Sequence, residues 1–289
     1  MSVITFWNNE NEETGKTMSL VAIATYMAME HNTRNLIIST TNKEDRIKRC
    51  YWGEEKKKKI NLGIFGPNKN TLDVETGIKG IEKLVRSNKI TPDIITNYTK
   101  VIFKDRLEVL LGNEEKTNIS ETTRLENQKI QEIYPYIINI ANQYYDRIFV
   151  DLDYNIKPEI REKILKISDI IVINLSQRLS SIEKIRQEKE TNELLKSPKT
   201  LLLIGRYDKF SKYNIKNISR YLKEKNKILT IPYNTLFFEA AEEAAVPDLF
   251  LNFKRMREEE DRNNIFIQEV KRATENIIYR LQEMQSNII

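Results

Sequence analysis

The sequence predicts an α/β fold, a three-layer, doubly wound and mostly parallel sheet, on three observations. Short apolar runs recur along the chain, segments of helical periodicity stand between them, and several of the runs are nearly continuous in Ile, Leu and Val. Continuous runs mark strands covered on both faces, and their alternation with helices marks crossover units. In such sheets ligands bind beyond the carboxyl ends of the strands, so the decisive residues are expected just after strands.

Taken in order, SVITFW (2–7) opens the chain as a strand, and the helical pattern at 17–31 follows it. Leu20, Val21, Ile23, Ala24, Met27 and Ala28 give that helix an apolar surface wide enough for a central, buried place. Further strands are expected at 35–40, 60–66, 106–111, 146–152, 169–175, 200–205 and 227–232, with helices at 76–88, 121–144, 157–167, 179–195 and 214–224. From Pro247 the pattern changes. Phe266, Val270, Ala273, Ile277, Leu281 and Met284 share one face of an amphipathic helix over 261–285. A terminal helix packed on its own domain is the plain expectation, giving residues 1–254 as the main domain and 255–289 as the helix. A partner-binding or dimer helix and a membrane-surface helix are alternatives, though Glu269, Glu275 and Glu283 on the polar face disfavour anionic lipid.

Composition narrows the class. With 40% hydrophobic and 31% charged residues, the 289-residue chain reads as globular. No apolar run approaches the roughly 18 residues that span a bilayer, and MSVITFW lacks the basic start of a secretory signal. One cysteine, Cys50, excludes an internal disulfide and a multi-thiolate metal site within one chain, so the cytoplasm is the expected location. The single histidine, His31, follows a helical run among polar residues and is expected at the surface. A net charge of +5 and a pI near 9.0 raise a nucleic-acid reading. Lys56–Lys59 is the clearest basic run, but such runs are more often solvated than bound to DNA or lipid, and AT-rich coding also enriches Lys, Ile and Asn.

The chemistry concentrates at Gly15-Lys16-Thr17, between the first strand and the first helix. A phosphate at a helix start meets backbone N–H groups, here from Thr14 to Met18, and the positive end of the helix dipole. Lys16 would contact the terminal phosphates, and the Thr17 hydroxyl would ligate Mg²⁺. The loop itself departs from the pattern, because Glu10 stands at the first glycine of the G-x-x-x-x-G-K-T spacing and Glu12 and Glu13 follow. Carboxylates pointing inward would repel a phosphate chain. Pointing outward, they would leave the backbone cradle intact. Alternatively, Glu12 or Glu13 caps the helix and occupies the anion site itself. The second site is YYDRIFVDLDYN (144–155), a strand ending in Asp151, which suits a Mg²⁺ partner opposite Thr17. Asp153 could share that role, and the plainer alternative is that Asp151 orders a turn.

Five segments in order resemble the ParA/MinD branch of P-loop ATPases. They are VITFW…TGKTMSLVAIATYMA, RLEVLLG, YYDRIFVDLD, ISDIIVINLSQRLSSIEKI and ILTIPYNTLFFEAAEEAAVPDLF. The resemblance implies ATP or ADP with Mg²⁺, Pro232 and Asn234 bordering the adenine, and Arg206 beside the base. It also implies a nucleotide-dependent homodimer that positions DNA, division proteins or secretion machinery. Three positions depart from the family's pattern. Its cross-dimer lysine falls at Asn11, its acidic pair after the second strand at Ser39 and Thr41, and its base-reading asparagine near Gly205. Without a carboxylate to orient water and without the cross-dimer cation, hydrolysis is expected to be weak or absent, since such a cation is worth about 10³ to 10⁵ in rate. Degenerate loops recur among the TadZ/CpaE-like proteins of pilus localisation. The readings are therefore an ATP-binding dimer switch, a scaffold that binds no nucleotide and serves a partitioning, pilus or secretion partner, and a DNA-partitioning ATPase.

Overall fold

The computed structural model describes residues 1–8, 10, 13–41, 46–52, 77–113, 129–253 and 261–286. Asn11, Glu12, Lys56–Lys59, the strand expected at 60–66, the start of the helix expected at 121–144 and the boundary at 254/255 lie outside the described residues. Among those described, one sheet contains β1 (Ser2–Trp7), β2 (Asn35–Ser39), β3 (Lys100–Phe103), β4 (Leu107–Leu110), β5 (Arg147–Asp151), β6 (Ile170–Leu175), β7 (Thr200–Tyr207) and β8 (Leu229–Pro232). Across the sheet the order is β3-β4-β2-β5-β1-β6-β7-β8. Every neighbouring pair is parallel except β3 with β4. β1 therefore lies inside the sheet between β5 and β6, and the chain leaves it toward one edge and later returns to build the other. A strand flanked in this way opens a crevice at its carboxyl end.

The helices are α1 (Lys16–Glu30), α2 (Arg46–Tyr51), α3 (Ile78–Arg86), α4 (Tyr134–Ala141), α5 (Pro158–Ile167), α6 (Leu179–Thr191), α7 (Glu193–Lys196), α8 (Ile215–Leu222), α9 (Thr235–Glu242), α10 (Val246–Phe253) and α11 (Arg262–Ser286). Strand side chains alternate between two cores. In β1, Val3 and Trp7 face α3 to α8, while Ile4 and Phe6 face α1, α2 and α9 to α11. Three layers result, as the continuous apolar runs predict. No helix among the described residues is long and apolar enough to cross a membrane.

The terminal helix packs on the sheet. Phe266, Val270, Ala273, Ile277 and Leu281 are buried in the same core as α1, and Met284 packs against it partly exposed. Phe266 stacks 5.0 Å from Phe237, with Phe250 and Phe253 at 6.3 and 6.0 Å. The helical pattern at 179–195 is two helices, because the Asn192 side chain accepts the Leu194 N–H and starts a new one. His31 is half-buried rather than at the surface. Burial and the Arg147 charge hold its imidazole below the ordinary range.

Candidate functional site

Gly15 sets the geometry. It has φ 76°, in the left-handed region, and forms the N-cap of α1 without any side-chain hydrogen bond to the helix start. A side chain there would be strained. No acidic residue stands in the first turn of α1. Among the described residues no side chain caps its leading N–H groups, so this dipole end suits an anion.

Lys16, Thr17 and Asp151 converge as expected. Asp151 closes β5, which pairs with β1, so the carboxylate is delivered to the first turn of α1. The Thr17 hydroxyl donates to Asp151 Oδ2 at 2.8 Å. Lys16 Nζ lies 2.7 Å from Asp151 Oδ1 and directs a hydrogen bond to the Leu152 carbonyl. The ammonium thus meets Oδ1 as a close ion pair rather than by a directed hydrogen bond. Both side chains are largely buried, at 12% and 8% exposure.

The two described loop glutamates, Glu10 and Glu13, turn away from this cradle. Glu10 is buried, and its Oε1 accepts from Ser181 Oγ at 2.6 Å, in the first turn of α6. Asn8 Nδ2 donates to the Glu10 carbonyl and holds the bend. Glu13 points outward and bridges Arg46 at 2.8 Å and Arg206 at 3.2 Å. The Arg46 guanidinium first, and Arg206 after it, hold the Glu13 carboxyl below its ordinary range. Glu13 therefore does not cap α1, and the two described glutamates leave the phosphate position free of carboxylate.

The remaining expected residues make contacts of their own. Asp153 does not join Asp151; its Oδ1 accepts from Asn155 N at 2.7 Å and orders a turn. Met18 turns toward Cys50, with their sulfurs 4.0 Å apart, so only its backbone N–H belongs to the loop. Pro232 ends β8 opposite Tyr207. Asn234 is committed elsewhere, since its side chain caps α9 at Phe237 N, 2.8 Å, and donates to Asn263 at 2.8 Å. Arg206 has φ 53° at an irregularity in the β7–β8 pairing, and its side chain reaches the loop through Glu13. Ser39 and Thr41, where the family's acidic pair falls, carry hydroxyls, and Thr40 between them adds a third. Thr40 Oγ1 bonds Asp151 O at 3.1 Å and Asp153 N at 2.8 Å, while Thr41 N reaches Ser39 Oγ at 3.5 Å.

Gly205 carries a different meaning from the one read in the sequence. A Cβ there would lie 2.4 Å from the Thr14 carbonyl oxygen and 3.1 Å from Gly15 Cα. The loop backbone rests directly on β7, and only glycine permits that approach. Beside this contact Thr14 Oγ1 and Ser19 Oγ, and both amide atoms of Asn174 on the neighbouring β6, are buried without hydrogen-bond partners among the described residues. Unpartnered polar atoms, a helix start that no described side chain caps and a Lys-Thr-Asp set together fit a phosphate with Mg²⁺.

A lysine and threonine opening the helix after an internal strand, faced by an aspartate ending the adjacent parallel strand, define the P-loop NTPase fold. No family model and no curated protein matches the chain. Solved structures do match. A ParA family ATPase from Chlorobium tepidum superposes with a TM-score of 0.64 at 14% identity, over 94% of this chain and 97% of that one. The cell division ATPase MinD of Pyrococcus furiosus gives 0.63 at 12% identity, over 96% and 100%. MinD of Pyrococcus horikoshii complexed with Mg-ADP gives 0.61 at 12%, over 96% and 98%. The chain has the ParA/MinD fold.

Proposed function

We propose that this protein is a nucleotide-binding positioning protein, a switch that binds ATP or ADP with Mg²⁺ and hydrolyses ATP weakly or not at all. The observation that carries the reading is the convergence of Lys16, Thr17 and Asp151 under a helix start that no described side chain caps, with Glu10 and Glu13 facing away. Lys16 would neutralise the terminal phosphates, and Thr17 with Asp151 would hold the metal. Bound Mg²⁺ would supply charge neutralisation to the phosphates. Ordering around the nucleotide is proposed to favour a homodimer and recruitment of a protein partner of partitioning, pilus or secretion type, as expected for this fold.

Slow turnover is proposed from the residues at three positions of the sequence, 39 to 41. Residues 39–41 are Ser-Thr-Thr and present no carboxylate to orient water. In a single-turnover assay, bound ATP should be recovered largely intact. Hydrolysis should be roughly 10⁻⁴ s⁻¹ or slower, the order of unassisted phosphoryl transfer in related folds. Steady phosphate release orders of magnitude faster would overturn the weak-hydrolysis part of the reading. The scaffold alternative draws on one observation: the cation and hydroxyl of the site are already satisfied by Asp151. It expects Lys16→Ala to leave partner binding unchanged. For a DNA-partitioning reading, salt-sensitive binding of duplex DNA is the requirement.

A further inference from the structure

A second surface lies outside the nucleotide site, on the face of the sheet covered by α6 and α8. A groove of about 270 Å³ runs between these helices, lined by Leu179, Ile182, Lys212, Tyr213, Ile218 and Tyr221. Ile182 and Ile218 form a buried apolar floor, whereas Leu179 is 44% exposed at one end. Its volume lies below the range of typical small-molecule pockets and suits side chains inserted from a partner.

The surroundings are strongly basic. Residues 205–227 carry eight Lys and Arg against Asp208 and Glu224, a net +6 where the whole chain carries +5. Lys209, Lys212, Lys216 and Arg220 are exposed and have no carboxylate within 4 Å among the described residues. Aromatic rings accompany them: Arg186 stands over Tyr221 at 4.7 Å, Lys212 over Tyr213 at 5.0 Å, and Phe210 is 84% exposed beside Lys209.

The groove is held in shape before anything binds. The Gln177 amide, just before α6, donates to the carbonyls of Asp208 at 3.0 Å and Tyr213 at 2.8 Å and accepts from Asp208 N at 2.7 Å. Asn217 Nδ2 donates to the Lys212 carbonyl at 2.7 Å, tying the loop to α8. Preformed walls lower the ordering cost of association.

We infer that this groove docks an acidic segment of a partner protein that carries apolar side chains, its leucine- or phenylalanine-like residues entering between α6 and α8 and its carboxylates meeting the lysine rim. Charge complementarity selects the acidic partner. The apolar floor selects a polypeptide over a nucleic acid, because phosphate contacts need cations and no apolar cleft. A groove between helices with aromatic and cationic walls is a common seat for an amphipathic segment. This assignment is independent of whether the loop holds nucleotide.

The test is fluorescence anisotropy with a short labelled peptide alternating Glu with Leu and Phe, run beside a peptide with Ser for its apolar residues, a DNA duplex and anionic phosphatidylserine vesicles. The full-length protein should bind the first peptide at micromolar to submillimolar concentration, weaken as salt rises, and lose the peptide lacking apolar residues. Leu179→Ser and Tyr221→Ala should each weaken binding on the order of tenfold, as should Lys212→Glu combined with Lys216→Glu. These positions are exposed, so a fold-level failure is not expected, and unchanged circular dichroism confirms each variant. No binding by the wild type at millimolar peptide would overturn the inference. So would DNA or vesicle binding that depends on the lysines or on Phe210 while Leu179→Ser changes nothing.

Discussion

Lys16→Ala should lose nucleotide affinity by at least about 100-fold and, without any ligand, destabilise the protein. The first effect follows if the ammonium is the cation facing the terminal phosphates, since charge-assisted contacts to buried anions are among the strongest in a site. The second follows from the geometry alone. Asp151 is 6% exposed, and its Oδ1 has the Lys16 ammonium as neighbour at 2.7 Å. Removing one member of a buried ion pair strands the other, at a cost of about 3–5 kcal/mol in fully dry cases. Here the Thr17 hydroxyl still bonds Oδ2, so about 2–4 kcal/mol is expected. Urea denaturation of the unliganded variant measures it. Adding Asp151→Asn should restore part of the stability and none of the affinity, which separates the two effects. An unliganded Lys16→Ala protein as stable as wild type would show that the pair is not formed in solution.

Gly205→Ala should be nearly as severe for a different reason. One methyl group would meet the Thr14 carbonyl at 2.4 Å, and the obstacle is backbone that cannot rotate aside. Overpacking of this kind costs about 1–3 kcal/mol. The displaced loop would carry Gly15 and the first turn of α1 with it, so nucleotide affinity should fall roughly tenfold or more, on the order of a kilocalorie and a half. Arg206→Ala next door is the control. Its side chain is 42% exposed and its ion pair with Glu13 lies at the surface, where such pairs contribute about 0–1 kcal/mol. Equal behaviour of the two variants in urea would contradict the steric account.

Most of the sheet was legible because its strands are buried on both faces and therefore read as unbroken apolar runs, β6 with Ile170, Ile171, Val172 and Ile173 above all. β3 was not, since Lys100–Phe103 is an antiparallel edge strand, partly exposed and only four residues long. α2 escaped for a similar reason, being six residues with three charges. At the site, Lys16, Thr17 and Asp151 could be found because each follows a strand at a fixed offset. The direction of the glutamates could not. It depends on Ser181, 171 residues from Glu10, and on Arg206, 193 residues from Glu13. Gly205 was visible only as a missing asparagine, because the close approach of Thr14 is a tertiary fact. Asp153 and Asn234 show the same limit: an acid or amide after a strand can serve a turn or a helix cap as readily as a ligand.

The central claim is that the glutamate-rich loop still receives a nucleotide, and thermal unfolding with and without Mg·ATP tests it most directly. A ligand that binds only the folded state at one hundred times its dissociation constant stabilises by about 2.7 kcal/mol, a rise in Tm of roughly 5 °C for a chain of this size. The account predicts such a rise for the wild type at millimolar Mg·ATP and none for Lys16→Ala. An unchanged wild-type Tm, or an equal rise in both proteins, would contradict it.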